Sequence, residues 1–205
     1  MEQAAATRRA ILEAAQRLFE NDGYAPTTMA AIAHEAGVAL KTVYVAFETK
    51  GGVLRALWNM LLRGDLDETP VRERPIFREL LNEPDPERQL RQNAANSRQA
   101  KERLGAVFGV IRAAAPSDPD IAALDRRILT EYRESQRDIV KSLARKKALK
   151  KGLGVERAAD VLWTINHPDV WQLLVGHRGW SPKQYEQWTA DLACSQLLKD
   201  HGAPR

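Results

Sequence analysis

Lys41, Thr42, Val45 and Ala46 share the short run 40–47, and their side chains are of the kind that meets DNA. An ammonium and a hydroxyl reach base edges or phosphates, and small apolar groups meet thymine methyls in the major groove. On a helix, Val43 and Phe47 lie one turn apart and would pack inward with Leu40, which leaves the other four facing out. The same spacing also suits an ordinary three-helix bundle with a solvated face. A second set of residues places polar groups on apolar stripes: Asn93 and Ser97, then Tyr132, then Trp163, Asn166, His167 and Trp171 around Pro168. Apolar walls with a few convergent polar groups describe a small-molecule pocket. A core in which each of these groups is satisfied by a neighbouring backbone atom gives the same pattern. Catalytic chemistry lacks its parts, because four His, one Cys and no glycine-rich phosphate loop supply neither a nucleophile with its base nor a metal cluster. No cofactor and no metal are therefore expected. A small helical enzyme using Asp169 or Glu131 has no positive support.

The elements that would position these residues are all helical. Apolar spacings of three and four dominate, and no β-branched alternation marks a strand. Ile11, Ala15, Leu18 and Phe19 share a face of a first helix closed by Gly23. Ile32, Ala33 and Ala36 mark a second that ends at Gly37, a third runs near 40–47, and Val53 to Leu62 lie on a fourth. Pro70, Pro75, Pro84 and Pro86 then crowd a connection with room for a short helix around 76–81. Asp85-Pro86, Asp118-Pro119 and Ser181-Pro182 each put a capping oxygen before a proline at the first helical position. A break within the first of these helices is admissible around 98–103. Residues 158–175 are apolar on nearly every face, which in so small a chain suggests cover by a partner. About nine helices result.

The chain has 205 residues, 31 Lys+Arg against 27 Asp+Glu, and a formal charge of +4. Residues 1–50 carry five basic and six acidic side chains, whereas residues 141–151 hold six basic and no acidic ones. The surplus is local, and cations suit the end of a helix. Charge alone thus argues against an architectural protein that coats DNA without regard to sequence. No run approaches the roughly 18 apolar residues of a membrane span, no signal peptide is visible, and the lone Cys194 fits a reducing cytoplasm.

Thr7-Arg8, Ile11-Leu12, Ala14-Ala15, Leu18-Phe19, Gly23-Tyr24, Thr27-Thr28, Ile32-Ala33, Ala36-Gly37-Val38, Thr42-Val43-Tyr44, Phe47 and Lys50 fall in an order that resembles the N-terminal domain of the TetR family of transcriptional regulators. The resemblance covers roughly residues 4–64. It implies an N-terminal three-helix helix-turn-helix domain over 4–64, with the motif itself near 27–47, and a C-terminal helical ligand-binding and dimerisation domain over 65–205. It also implies a homodimer, paired through helices near 155–176 and 181–198, that binds double-stranded operator DNA and answers to an unidentified small-molecule effector. Thr27 and Thr28 would cap the second helix near a phosphate, Tyr44 would reach the backbone, and Lys50 would hold a phosphate. Lys41, Thr42 and Val45 would face the groove.

Three departures stand out. Ala39 replaces the family's usual Ser, so the third helix lacks a side-chain cap, at about 1 kcal/mol. Val45 and Ala46 replace an aromatic or His. Gly51-Gly52 stand where acidic residues usually open the fourth helix, and each costs up to about 1 kcal/mol of helix propensity.

Overall fold

The computed structural model describes residues 2–64 and 70–199, and every regular element among them is helical. Helices α1 (Glu2–Asp22), α2 (Met29–Glu35), α3 (Leu40–Phe47) and α4 (Lys50–Arg63) form the N-terminal part. A 3-10 turn (Val71–Glu73), α5 (Pro75–Asn82), α6 (Pro86–Ala114), α7 (Pro119–Arg145), α8 (Val155–Ile165), α9 (Pro168–Trp171) and α10 (Pro182–Leu197) follow. This is the expected all-α arrangement, a helix-turn-helix region followed by a larger helical region. The boundary expected between 64 and 65 abuts residues 65–69, which lie outside the described residues, as do 200–205. No helix among the described residues is long and apolar enough to cross a membrane.

The three proline-led helices start as their residues dictate. Asp85 Oδ1 accepts from the Glu87 and Arg88 amides, Asp118 Oδ1 from those of Asp120 and Ile121. Ser181 and Gln184 close a reciprocal capping box on α10. Two expectations are corrected. α6 runs unbroken through 98–103, because Ser97–Lys101 and Arg98–Glu102 contacts tie successive turns together. The apolar stretch 158–175 is not one helix. It stops at Ile165, His167 caps a new start, and Pro168 takes its first position, after which Gln172–His177 widens into a π-helical turn. The Thr164 carbonyl, which Pro168 cannot serve, accepts the His167 amide instead.

The chain divides into two compact units, with α6 and α7 shared between them. The first comprises residues 1–68 and 103–128, the second 69–102 and 129–205, within the described ranges. In the first, Ile11, Leu12, Ala15 and Phe19 of α1 meet Ile32, Val43, Val53, Leu54 and Leu57, all fully buried. Each such large apolar side chain contributes about 1.5–3 kcal/mol. In the second, Leu90, Ile139, Val140, Leu143, Leu162 and Leu197 anchor one apolar cluster. The basic run ends α7 there. Lys146 donates to the Glu83 carbonyl and Gln89 Oε1, and Lys150 to the Ser195 carbonyl, so two of its six cations serve the ends of neighbouring helices.

Candidate nucleic-acid interface and ligand site

The turn between α2 and α3 is built by Gly37 at φ 65°, where a side chain would be strained. The Val38 amide reaches back to the Ala33 carbonyl and that of Gly37 to His34, which closes the end of α2 and fixes the direction of α3. α3 is then held from beneath by Val43 and Phe47. Leu40, expected to join them, is 41% exposed and lies on the outer side. Val43 and Phe47 are its two buried side chains, and the rest of its perimeter is exposed or half-buried.

That perimeter carries Lys41 exposed, Thr42 and Ala46 half-buried, Tyr44 at 49% and Val45 at 77%. A valine this bare on a well-anchored helix has no partner within its own fold. Arg8 locks the far end of α3. Its guanidinium donates to the Ala46 carbonyl at 2.9 Å and lies 4.3 Å above the Phe47 ring, a cation placed at a helix C-terminus. At the near end Ala39 makes no side-chain cap, as its methyl requires.

The corners around α3 absorb the remaining polar residues. Thr28 caps α2 by accepting the Ala31 amide. Thr27 does not cap: it is buried, and its hydroxyl donates to the Gly23 carbonyl at 2.7 Å, which ties the loop before α2. Lys50 Nζ donates to the Tyr24 carbonyl at 2.7 Å, contacts that of Ala25 at 3.3 Å, and stands 4.2 Å over the Tyr24 ring. Burial lowers its pKa, offset in part by Asp118. The Tyr24 hydroxyl donates to Asp118 Oδ2 at 2.8 Å, and burial together with that carboxylate raises the phenol's pKa. The ammonium of Lys50 is thus already oriented at the first turn of α4, with one N–H direction unclaimed by these two carbonyls.

Gly52 answers a different need from the one its sequence position suggested. A Cβ there would stand 2.1 Å from the Phe47 carbonyl oxygen, so the close approach of α4 to the end of α3 requires glycine. At Gly51 a Cβ would meet only ordinary contacts, such as Ile121 at 3.6 Å.

In the second unit the structure gathers part of the expected ligand set. Tyr132 donates to the Asn166 carbonyl at 2.7 Å, Ser97 bonds Lys101, and Trp171 meets the Tyr185 ring edge-on at 5.0 Å. Trp163 and His167 pair at 4.5 Å between ring centres. Asn93 is buried but is spent on Gln136, its amide donating to Oε1 at 3.2 Å. Lys101 and Tyr185 are not among the residues expected to line a ligand site, and both stand at the middle of this group. The signal for Lys101 was present, since Leu90, Asn93, Ser97, Lys101 and Leu104 step by three and four along one stripe. Arg8 likewise had no assigned role.

A glycine-cornered turn followed by a short, doubly anchored helix with a bare outer face has the geometry of a helix-turn-helix, a motif that DNA-binding proteins use. Residues 11–57 match the family model described as bacterial regulatory proteins, tetR family, so this N-terminal segment is similar to the domain that model describes. A comparison with curated proteins yields no match. Among solved structures the chain is similar to NalD, the secondary repressor of the MexAB-OprM multidrug efflux pump in Pseudomonas aeruginosa. The identity is 20% and the TM-score 0.73, over 98% of this chain and 100% of that one. It is also similar to SmeT, the repressor of the Stenotrophomonas maltophilia multidrug efflux pump SmeDEF, at 19% identity and TM-score 0.71 over 98% of each chain. A TetR transcription regulator from Haloarcula marismortui gives 19% identity and TM-score 0.71, over 94% of this chain and 99% of that one. These three likenesses are of fold.

Proposed function

We propose that this protein is a cytoplasmic, ligand-responsive repressor that binds a palindromic operator as a homodimer. The observation that carries the reading is the outer face of α3, where Val45 at 77% exposure stands beside Lys41, Thr42 and Tyr44 on a helix whose buried side chains are Val43 and Phe47. Lys41 and Thr42 make the direct base contacts, and Val45 offers its methyls to thymine. Tyr44, Thr28 and Lys50 position the phosphate backbone, while Thr27 acts from inside by fixing the loop. Residues 4–64, with the motif at 27–47, form the DNA-binding domain, and residues 65–205 the regulatory and dimerisation domain.

The dimer pairs through residues 155–176 and 181–198. In support, Leu173 is 58% and Trp188 36% exposed, and Trp180 packs edge-on against Trp188 at 5.9 Å. Two-fold symmetry then sets the recognition helices about 34–36 Å apart. The effector lies among Ser97, Tyr132, Trp163, Asn166, His167 and Trp171, with Asn93 behind them. SmeT, solved in complex with triclosan, supports a ligand response in this fold.

The test is a footprint and gel-shift titration on DNA flanking the protein's own gene. Lys50→Ala is expected to weaken every bound site alike and to reduce the salt slope by about 1. Thr42→Ala is expected to change the preferred sequence, costing about 1–3 kcal/mol at the base it reads. A monomer at micromolar concentration, or a Lys50→Ala protein with unchanged salt dependence, overturns the corresponding assignment.

A further inference from the structure

Lys101 is a cation inside a wall of rings. It is 8% exposed, donates to Ser97 Oγ, and its Nζ lies 5.8 Å from the Tyr132 ring centre and 5.4 Å from that of Tyr185. No carboxylate among the described residues pairs with it, and burial is the cause of its lowered pKa, about 7. A buried ammonium without a counter-ion is costly, and a Met or Leu at the same position on the α6 stripe would fill the space without that cost. Next to it the Tyr185 hydroxyl is fully buried and has no hydrogen-bond partner. Asn166 Oδ1, in the break that separates α8 from α9, is likewise buried without a partner. The other side of Asn166 is engaged, its carbonyl accepting from Tyr132. The Tyr185 hydroxyl and Asn166 Oδ1 therefore lack partners and Lys101 lacks a counter-ion, all in the second unit.

We infer that the effector of this regulator is a small organic anion, a monocarboxylate, whose charged end is received by Lys101 Nζ and the Tyr185 hydroxyl. The inference rests on the ligand-responsive reading above and adds the charge class of the ligand. An ammonium has three donors and Ser97 occupies one. A carboxylate accepts from the remaining two and from the phenol, and supplies the missing counter-charge. The apolar remainder of the molecule meets Tyr132 and Trp171. Asn166 Oδ1 can take a hydroxyl or amide hydrogen if the ligand carries one.

The experiment titrates three series against the full-length protein bound to its operator: benzoate, phenylacetate and octanoate; benzamide and octanamide; benzamidine and octylamine. Tryptophan fluorescence reports binding and gel shift reports release. At least one carboxylate is expected to bind and to release the DNA, whereas its amide and amine counterparts do not. Lys101→Met is expected to weaken that carboxylate about tenfold or more while operator affinity is kept, as loss of a charged hydrogen bond requires. Tyr185→Phe, which keeps the ring and its packing, is expected to weaken it less. Equal carboxylate affinity in wild type and Lys101→Met overturns the assignment, and so does an amide that binds as well as its acid. Release by an amine or amide with no carboxylate active also overturns it, yet leaves the ligand-responsive reading standing. Silence of all three series with DNA still bound removes the anion and the response together.

Discussion

The two units treat polar groups in opposite ways. Around α3 six polar side chains are spent on holding neighbouring chain segments: Thr27 on Gly23, Thr28 on Ala31, Thr49 on Gly52, Arg8 on Ala46, Lys50 on Tyr24, Tyr24 on Asp118. In the second unit the buried atoms without partners include Gln89 Nε2, Trp163 Nε1, Asn166 Oδ1 and the Tyr185 hydroxyl, against Asp125 Oδ1 in the first. Each such atom costs about 1–3 kcal/mol. A surface that must meet DNA in one register gains from corners that cannot shift. A site that must respond to a solute gains from groups whose satisfaction waits on that solute.

The sharpest way to break the rigid half is at Gly52. Gly52→Ala drives a methyl into the Phe47 carbonyl, 2.1 Å from the Cβ position, and backbone cannot swing aside as a side chain does. The expected loss is about 3 kcal/mol, the upper part of the overpacking range, read as a lower urea midpoint for the N-terminal unit. Gly51→Ala is the control. Its Cβ meets Ile121 at 3.6 Å, ordinary contact, and helix propensity then adds up to about 1 kcal/mol. Equal effects at both positions would mean that α4 does not approach α3 as closely as described.

The second unit is tested through pH. An unfolded lysine holds its proton to about 10.4, whereas the buried Lys101 releases its own near 7. Between those values the unfolded chain binds more protons, so stability rises with pH; the gain is complete above the upper value and lost as pH falls through the lower. The groups that face Lys101 are Ser97 and the phenols of Tyr132 and Tyr185, and both phenols are raised by burial and stay neutral across this window. From pH 7 to 9 the wild type is expected to gain about 2 kcal/mol more than Lys101→Met, within the limit of about 1.4 kcal/mol per unit. Parallel pH profiles would place Lys101 in water and remove the contrast between the units.

The first unit was legible because its signals are local. Gly23 and Gly37 end α1 and the α2 corner where their spacing says, and Val43 with Phe47 is an inward pair that spacing alone finds. What escaped depends on distance along the chain. Arg8 serves Ala46 across 38 residues and Tyr24 reaches Asp118 across 94, and no periodicity encodes either. Gly52 reads from the sequence as a helix-propensity cost, whereas its reason is a carbonyl five residues back. In the second unit Ser97, Tyr132 and Asn166 were found as polar residues on apolar stripes. Lys101 was missed on the same stripe, because a lysine ordinarily points its charge into water. Pro168 was visible as a disruption, but whether it bends a helix or starts a new one turned on His167 offering its ring as a cap.

The smallest effect sharpens the comparison most directly, because it adds a corner contact where the rigid half lacks one. α2 and α4 begin with Thr28 and Thr49, whose hydroxyls accept from Ala31 and Gly52, whereas α3 begins with Ala39 and has only the Thr42 amide bonded to the Ala39 carbonyl at 2.9 Å. Ala39 already has the extended backbone of a capping residue, φ −66° and ψ 142°, so Ala39→Ser needs no rearrangement. The expected gain is about 1 kcal/mol in a urea titration of the free protein. If operator affinity stays level, α3 was already held in its bound pose by Val43, Phe47 and Arg8, and the cap adds stability alone. If affinity rises by the same free energy, α3 frays in the free protein and DNA orders it, and the rigid account of the N-terminal unit fails at the helix that matters most to it.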